Sequence, residues 1–364
     1  MKVHVLVPTL IRRGGVPRTA IEETKGLRRL GHEAVCYSFT GKRRLWEIFE
    51  DTPIELHPNI PFPLLRQSLN CWIAWRIPHQ IDADVVICHD AATLPVGYSL
   101  KGKRRTKYVP YMHDIFGYAH PLALSSTFRH LFFRPVEVKM EMEHLSRADL
   151  LIVNSSYMIQ QLLEVHPELN VKTRILHPSV HPPTPSKVER EDFLLVVTRI
   201  HRGKRLEFLL NVIAQIPDAR MVIAGTPTPH LPIIIKRIKE LNLTKRVQLF
   251  SPVSERQLSQ LYRRARIFVH ANEESFGMPA LEALAHGCPI IHPYPSGIWD
   301  LAEEGVHGFK VDQKDPRDFI AKIGRLMDDE RLAERMGESG VSLARTYTWE
   351  YHNSKLESYL LELE

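Results

Sequence analysis

Cysteine is scarce. Four occur in 364 residues, at Cys36, Cys71, Cys88 and Cys288, with no paired spacing. That pattern excludes a disulfide framework and a zinc finger or ribbon, and a reducing cytoplasm is the expected setting. No stretch approaches the ~20 uninterrupted apolar residues of a membrane helix. Met1–Pro8 is too short and too β-branched for a secretory core and has no small-residue cleavage site. The G-x-G-x-x-G dinucleotide fingerprint is missing, as is any helix-turn-helix, finger or RNA-recognition signature, so nucleic acid is not an expected partner. Asp82-Ala83-Asp84 imitates a D-x-D metal motif, but it precedes an expected strand and reads as a turn. No metal site or bound cofactor is expected.

Charge of one sign is confined to one half. Residues 1–180 hold 23 Lys and Arg against 17 Asp and Glu, a net +6, whereas residues 181–364 hold 25 of each. The excess includes Lys42-Arg43-Arg44 and the run Lys101–Lys107. Such runs form solvated faces or attract an anionic surface, here lipid headgroups before nucleic acid. Trp72, Trp75 and Phe128–Arg134 mix aromatics with cations in the same half. They fit either a core or the inner face of a membrane on which a peripheral protein rests.

Short apolar runs alternate with amphipathic segments along the whole chain. Strands are expected at Val3–Val7, Ala34–Ser38, Val85–His89, Tyr108–Met112 and Leu150–Asn154. Others are expected at Phe193–Thr198, Arg220–Ala224, Val247–Phe250, Ile267–His270 and Pro289–His292. Continuous apolar character suits parallel strands buried on both faces. Helical patterns lie between them at Arg18–Leu30, Lys204–Ala214, Leu231–Leu241 and Ser254–Ala265. Gly31 ends the first of these, and Ser254 caps the last. This alternation predicts an α/β protein. The proline-rich stretch from Pro178 through Pro182, Pro183 and Pro185 reads as a linker over about 178–191. It divides an N-terminal Rossmann-like domain, 1–180, from a C-terminal one, 192–345, and ligands of such folds bind at the carboxyl ends of the strands.

Four strand-to-helix loops could carry chemistry there. Gly14-Gly15 follows the first strand and lets backbone amides approach a ligand. His113-Asp114 ends a strand, and His89-Asp90 is its weaker parallel. Arg199 and Lys204 flank a turn that opens a helix, where acids rather than cations belong. A bound diphosphate would reconcile that misfit. The sharpest loop is Glu273–Gly287. Pro279 suits the first helical position and Gly287 the C′ position, which places Glu282 in the first turn and Glu274 on the loop. Gly277 and Met278 then offer amides to phosphate, and the two carboxylates face hydroxyls.

With these residues the chain resembles glycosyltransferase family 4, of GT-B architecture, over essentially its full length. Glu274 and Glu282, with seven residues between them, match the family's E-x7-E signature, and Phe276-Gly277-Met278-Pro279 matches its filling. Ala285-His286-Gly287-Cys288-Pro289, the Arg199/Lys204 pair, Gly14-Gly15 and the Arg147-Ala148-Asp149 to Ser156 segment match further family elements. The resemblance implies two Rossmann-like parallel-sheet domains facing across a cleft, with a C-terminal helix, 346–364, crossing back to the N-terminal domain. It implies a retaining, metal-independent hexosyltransferase using a nucleotide-sugar donor. Arg199 and Lys204 would hold the diphosphate, Glu282 the ribose, and Glu274 sugar hydroxyls. Phe276, Gly277 and Met278 would contribute backbone contacts, Gly14 and Gly15 would border the diphosphate, and His113 would sit beside the transferred sugar. Catalysis would thus fall to His113, Glu274, Arg199 and Lys204.

Ser296-Gly297-Ile298-Trp299-Asp300 stands where the family has Gly-Gly-x-P-E. With Ile290–Pro293 and Val153–Ser156 it is similar to the mannosyltransferase branch that elongates polyprenol-linked oligosaccharides. That similarity implies GDP-mannose as donor and a glycan or polyprenol-linked acceptor. The competing expectations are a non-catalytic sugar-nucleotide-binding scaffold and a nucleotide-sugar epimerase of the same architecture.

Overall fold

The computed structural model describes residues 1–8, 14–38, 54–56, 82–104, 106–115, 134–183 and 189–364. These fall into two compact units. The first takes the described residues up to Pro178 together with Trp349–Glu364, and the second takes Ser179–Thr348.

In the first unit, β1 (Lys2–Val7), α1 (Gly15–Arg29), β2 (Glu33–Ser38), β3 (Ile54–Leu56), β4 (Val85–His89), α2 (Leu94–Arg104) and β5 (Lys107–Met112) come first. After them come α3 (Arg134–Ser146), β6 (Leu151–Val153), α4 (Ser156–Val165) and β7 (Thr173–Ile175). The strands form an all-parallel sheet of order β3-β2-β1-β4-β5-β6-β7. Every residue of β4 is buried, as its unbroken apolar run requires.

In the second unit, β8 (Glu191–Val197), α5 (Leu206–Ala214), β9 (Met221–Ala224), α6 (Leu231–Glu240), β10 (Val247–Phe250) and α7 (Glu255–Arg264) lead. They are followed by β11 (Ala265–Val269), α8 (Met278–Ala285), β12 (Ile290–Pro293), β13 (Gly308–Val311), α9 (Pro316–Asp328) and α10 (Glu330–Thr346). This sheet is also parallel, in the order β10-β9-β8-β11-β12-β13. The last helix, α11 (Trp349–Leu361), returns to the first unit and packs on α1. Both units are Rossmann-like. Each sheet reverses its strand order once, between β1 and β4 and between β8 and β11.

All ten expected strands are present, with ends shifted by a residue or two. β3, β7 and β13 were not expected, and each lies at the edge of its sheet. Local capping follows the sequence. Ser254 and Gln257 form a reciprocal capping box at α7, and Gly31 has φ +91 just past α1. At α8 the register moves by one: helix starts at Met278, so Pro279 is its second residue. The proline-rich linker lies partly outside the described residues, as do Lys42–Arg44, Cys71, Trp72, Trp75, Arg105 and Phe128–Phe133. Cys36, Cys88 and Cys288 are free and buried.

Close packing of α10 on α8 depends on Gly337. A Cβ there would lie 2.1 Å from the Gly287 carbonyl oxygen, a backbone atom that cannot swing aside. Gly337→Ala should therefore cost about 1–3 kcal/mol by overpacking. Urea unfolding measures it, and an unchanged midpoint would show that the helices separate freely.

Candidate functional site

The reversal of the second sheet positions the most suggestive cluster. Loops leaving β8 and β11 diverge at that point and open a crevice at the carboxyl ends of the strands. The β8 loop carries Arg199 and a 3-10 turn, Arg202–Lys204, while the β11 loop carries Asn272 and Glu274. Lys204 Nζ reaches over and donates to Glu274 Oε1 at 2.5 Å. Asn272 Nδ2 donates to the same oxygen at 3.3 Å, and His270 Nε2 lies 3.4 Å from it. Oε2 has no hydrogen-bond partner among the described residues. Burial pushes the Glu274 carboxyl upward, but the Lys204 charge and hydrogen bond outweigh it and hold the group at about 2. Glu274 is thus an anion fixed by one oxygen and able to accept hydroxyl hydrogens with the other. Its main chain is pinned as well. The Glu274 amide donates to Ser296 Oγ at 3.0 Å, and its carbonyl accepts from the Gly297 amide at 3.0 Å.

Beneath this carboxylate His270 and His292 stack with ring centroids 5.1 Å apart and planes 7° apart. Burial lowers His270 below the ordinary histidine range and takes His292 down to about 3, so both rings are neutral around pH 7. His292 bounds the turn into α8. Gly277 caps that helix at φ +102, and a Cβ on it would stand 3.3 Å from His292 Nε2. Only glycine fits this left-handed backbone easily. Among the described residues the amides of Gly277 and Met278 donate no hydrogen bond, and they sit at the positive end of α8.

Two sequence expectations need correction here. Glu282 is the fifth residue of α8 rather than a first-turn acid, because helix begins at Met278. Its Oε2 accepts the Tyr262 hydroxyl at 2.9 Å. Lys204 is also not left uncompensated at a helix start. α5 begins at Leu206 with Glu207 in its first turn, and Lys204 is neutralised by Glu274. The misfit that seemed to call for a diphosphate is met within the protein, and a diphosphate would have to compete for Lys204. Arg199 is exposed. Phe276 is 2% exposed and belongs to the core beside α8, so only its backbone is available to a ligand.

Arg199, Lys204, Glu274, Phe276, Gly277, Met278 and Glu282 therefore belong to the second unit, and Gly14, Gly15 and His113 to the first. Gly14 caps α1 in extended backbone (φ −170), and Gly15 is the first helical residue. Among the described residues a Cβ at Gly14 would meet only Pro17 Cδ, at 3.8 Å. His113 is 7% exposed, its ring 4.3 Å from that of Tyr111. Its amide donates to Asp90 Oδ1 at 3.1 Å.

Asp90 has the unusual backbone φ +61, a strain that the surrounding contacts must hold. Burial, reinforced by Asp114, pushes its carboxyl up to about 7 from 3.8. A folded-state value above the unfolded one means stability falls as pH rises between about 4 and 7. Asp90→Asn keeps the acceptor and removes the charge. It should raise the unfolding free energy at pH 8 by about 1 kcal/mol or more, seen as a higher melting midpoint, with the gain vanishing near pH 4. Thermal unfolding at the two pH values checks this, and a gain equal at both would refute it.

Sequence reasoning passed over Tyr262, His270 and Asn272, and it read Ser296 without its bond to the Glu274 amide. Histidines are common here, 19 in all, and only the fold reveals which ones stack under a carboxylate.

Comparison with known proteins now places the chain. Residues 13–182 match the family model Glycosyltransferase Family 4, and residues 181–342 match Glycosyl transferases group 1. The fold is shared with the structure of Anabaena HepE in complex with UDP and glucose, at TM-score 0.80 and 19% identity over 100% of both chains. It is shared also with sucrose-phosphate synthase from Thermosynechococcus elongatus, at TM-score 0.81 and 17% identity over 100% of this chain and 99% of that one. The fold is that of the GT-B class of glycosyltransferases. Each half of the chain matches a glycosyltransferase family model, and the two matches together span residues 13–342.

Among curated relatives, the D-inositol 3-phosphate glycosyltransferase of Mycolicibacterium smegmatis is 29% identical over 232 residues, 59% of this chain and 53% of the relative. That of Corynebacterium glutamicum is 33% identical over 172 residues, 44% of this chain and 41% of the relative. The chain thus spans about half the length of the curated relatives it matches.

Proposed function

We propose that the protein transfers a hexose from a nucleoside diphosphate sugar to a hydroxyl of a glycan or lipid-linked acceptor, with retention at the anomeric carbon. The observation that carries this is the Lys204–Glu274 pair set beside the α8 N-terminus at the strand-order reversal of the second sheet. Cleaving the bond between the anomeric carbon and the diphosphate leaves an added negative charge on the departing phosphate oxygen. Lys204, Arg199 and the Gly277 and Met278 amides are groups of the right sign to receive it. Glu274 would hold sugar hydroxyls through its free oxygen, and Glu282, steadied by Tyr262, would hold the ribose. Retention rests on the family resemblance.

The finer reading is that the donor is GDP-mannose and the acceptor polyprenol-linked. Its support is Ser296–Asp300 and Ile290–Pro293, where the chain departs from the common family pattern. UDP, the nucleotide bound in HepE, is the competitor. Calorimetry with GDP and with UDP, followed by mass spectrometry and NMR of the product from a panel of donors, decides both points. Binding of GDP with transfer of an α-linked mannose supports the finer reading. Selective binding of UDP overturns it. Binding without transfer to any acceptor overturns the enzyme itself.

We also propose that the basic N-terminal half rests on an anionic membrane face. Among the described residues no helix is long and apolar enough to cross a membrane. Sedimentation with vesicles at low salt tests the attachment, and equal recovery with neutral and anionic lipid would end it.

A further inference from the structure

The first unit contains a buried file of ionisable groups that the donor-side chemistry does not use. Glu23 lies on α1, His89 ends β4, His113 follows β5, and His352 lies on α11. The side chains of Glu23, His89 and His352 have 0% exposure. Glu23 Oε2 is 2.8 Å from His89 Nε2, and Glu23 Oε1 is 3.0 Å from His352 Nε2. On its other side His89 Nδ1 stands 3.0 Å from His113 Nε2.

Bonding capacity assigns the protons along this file. Burial raises Glu23, but His89 and His352 outweigh that and hold it at about 2, so it is a carboxylate and can only accept. His89 must then present N–H at Nε2. In a neutral ring that makes Nδ1 the acceptor, and His113 must donate to it from Nε2. What remains on His113 is Nδ1, a lone pair with no partner among the described residues. Burial keeps the His113 ring well below the ordinary histidine range, so it stays neutral. Its peptide is held separately by Asp90 and its ring face by Tyr111.

We propose that Glu23 and His89 are positioning residues that lock His113 as the Nε2–H tautomer, so that its Nδ1 is left to accept a hydrogen bond from a substrate hydroxyl. The last clause rests on the function proposed above, whereas the tautomer does not. The opposite tautomer would present a donor to the substrate. With His89 neutral only one agrees with a carboxylate at the far end of the file, whereas a doubly protonated His89 would impose the other.

The full chain, labelled with nitrogen-15 in its histidines, provides the test. Ring proton–nitrogen correlation spectra distinguish protonated from unprotonated Nδ1, and loss of one set of signals in His113→Asn assigns the residue. The expected result is an unprotonated Nδ1 on His113 without any substrate. Glu23→Gln can donate to His89 Nε2 and so reverse the file, which should protonate His113 Nδ1. It should also lower kcat/KM for the donor about tenfold, the worth of one well-placed hydrogen bond. His89→Gln provides an amide for Glu23 and a carbonyl for His113. It should keep the tautomer and exceed His89→Leu in kcat/KM by about the same factor. His352→Gln touches the other carboxylate oxygen and should lower stability without moving the His113 signals.

A protonated Nδ1 in the unaltered protein overturns the proposal. So does a His89→Leu variant with the same tautomer and kcat/KM as His89→Gln. If Glu23→Gln does not fold, the two His89 variants decide. If the protein transfers no sugar, the spectra still report the tautomer, so failure of the function and failure of the lock are told apart.

Discussion

Lys204→Ala should reduce kcat/KM for nucleotide-sugar turnover by about 10²–10³-fold, equivalent to about 2.7–4 kcal/mol of barrier, the loss seen when one donor to a developing oxyanion is removed. The expectation follows from where Lys204 sits. Its ammonium is about one-fifth exposed and is spent on Glu274, whose carboxylate it keeps charged. Removing it takes a cation from the departing diphosphate and loosens the carboxylate proposed to hold the sugar. Release of nucleotide from the preferred donor, measured with and without acceptor, reads the effect. An unchanged kcat/KM in a folded variant would remove the phosphate-clamp assignment.

The same substitution has a pH signature. Glu274 titrates at about 2 when folded against 4.5 in the free group. Its pairing therefore contributes stability that is complete above about 4.5 and is lost as pH falls toward 2. Without Lys204 that acid-limb contribution should shrink, and the variant's stability deficit should narrow between those limits.

Glu23→Ala should cost about 3–5 kcal/mol of folding free energy, the penalty for breaking a fully buried pair and stranding its partner. The carboxylate receives both His89 and His352, and neither ring has an exposed atom from which to recover a hydrogen bond in water. His352 Nδ1 also faces the His177 carbonyl at 2.8 Å, so this ring meets acceptors at both nitrogens. Glu23 thereby helps attach α11 to α1. Urea unfolding of the whole chain measures the loss, and a loss below about 1 kcal/mol would place the file among mere packing features. Here too the sign is that of a depressed acid. The stabilisation is present above about 4.5 and fades toward 2.

Which elements could be read in advance has a physical explanation. Interior strands such as β4, β5, β8 and β11 are covered on both faces and had to be unbroken apolar runs. The edge strands had no such obligation. β7 is Thr173-Arg174-Ile175, half-buried throughout, and pairs only with β6. β13 opens on a glycine and contains Lys310. Nothing in three or four such residues separates a strand from a loop. The site divides in the same way. Glu274, Gly277 and Glu282 follow from the spacing of one loop and one helix. The pairing of Lys204 with Glu274 spans 70 positions, and that of Glu23 with His352 spans 329.

By itself, the amino-acid sequence determined the alternation of strand and helix, the capped start and glycine end of α8, and the two carboxylates with seven residues between them. Each depends on side chains within a few positions of one another, where periodicity and backbone conformation act. Tertiary structure alone decided that Lys204 is already occupied by a carboxylate, that His270 and His292 stack beneath it, and that a glutamate on the first helix governs two buried histidines. Those outcomes come from parallel sheets whose neighbouring strands are distant in the chain, and from burial, which makes every unpaired proton or charge costly enough to select its partner.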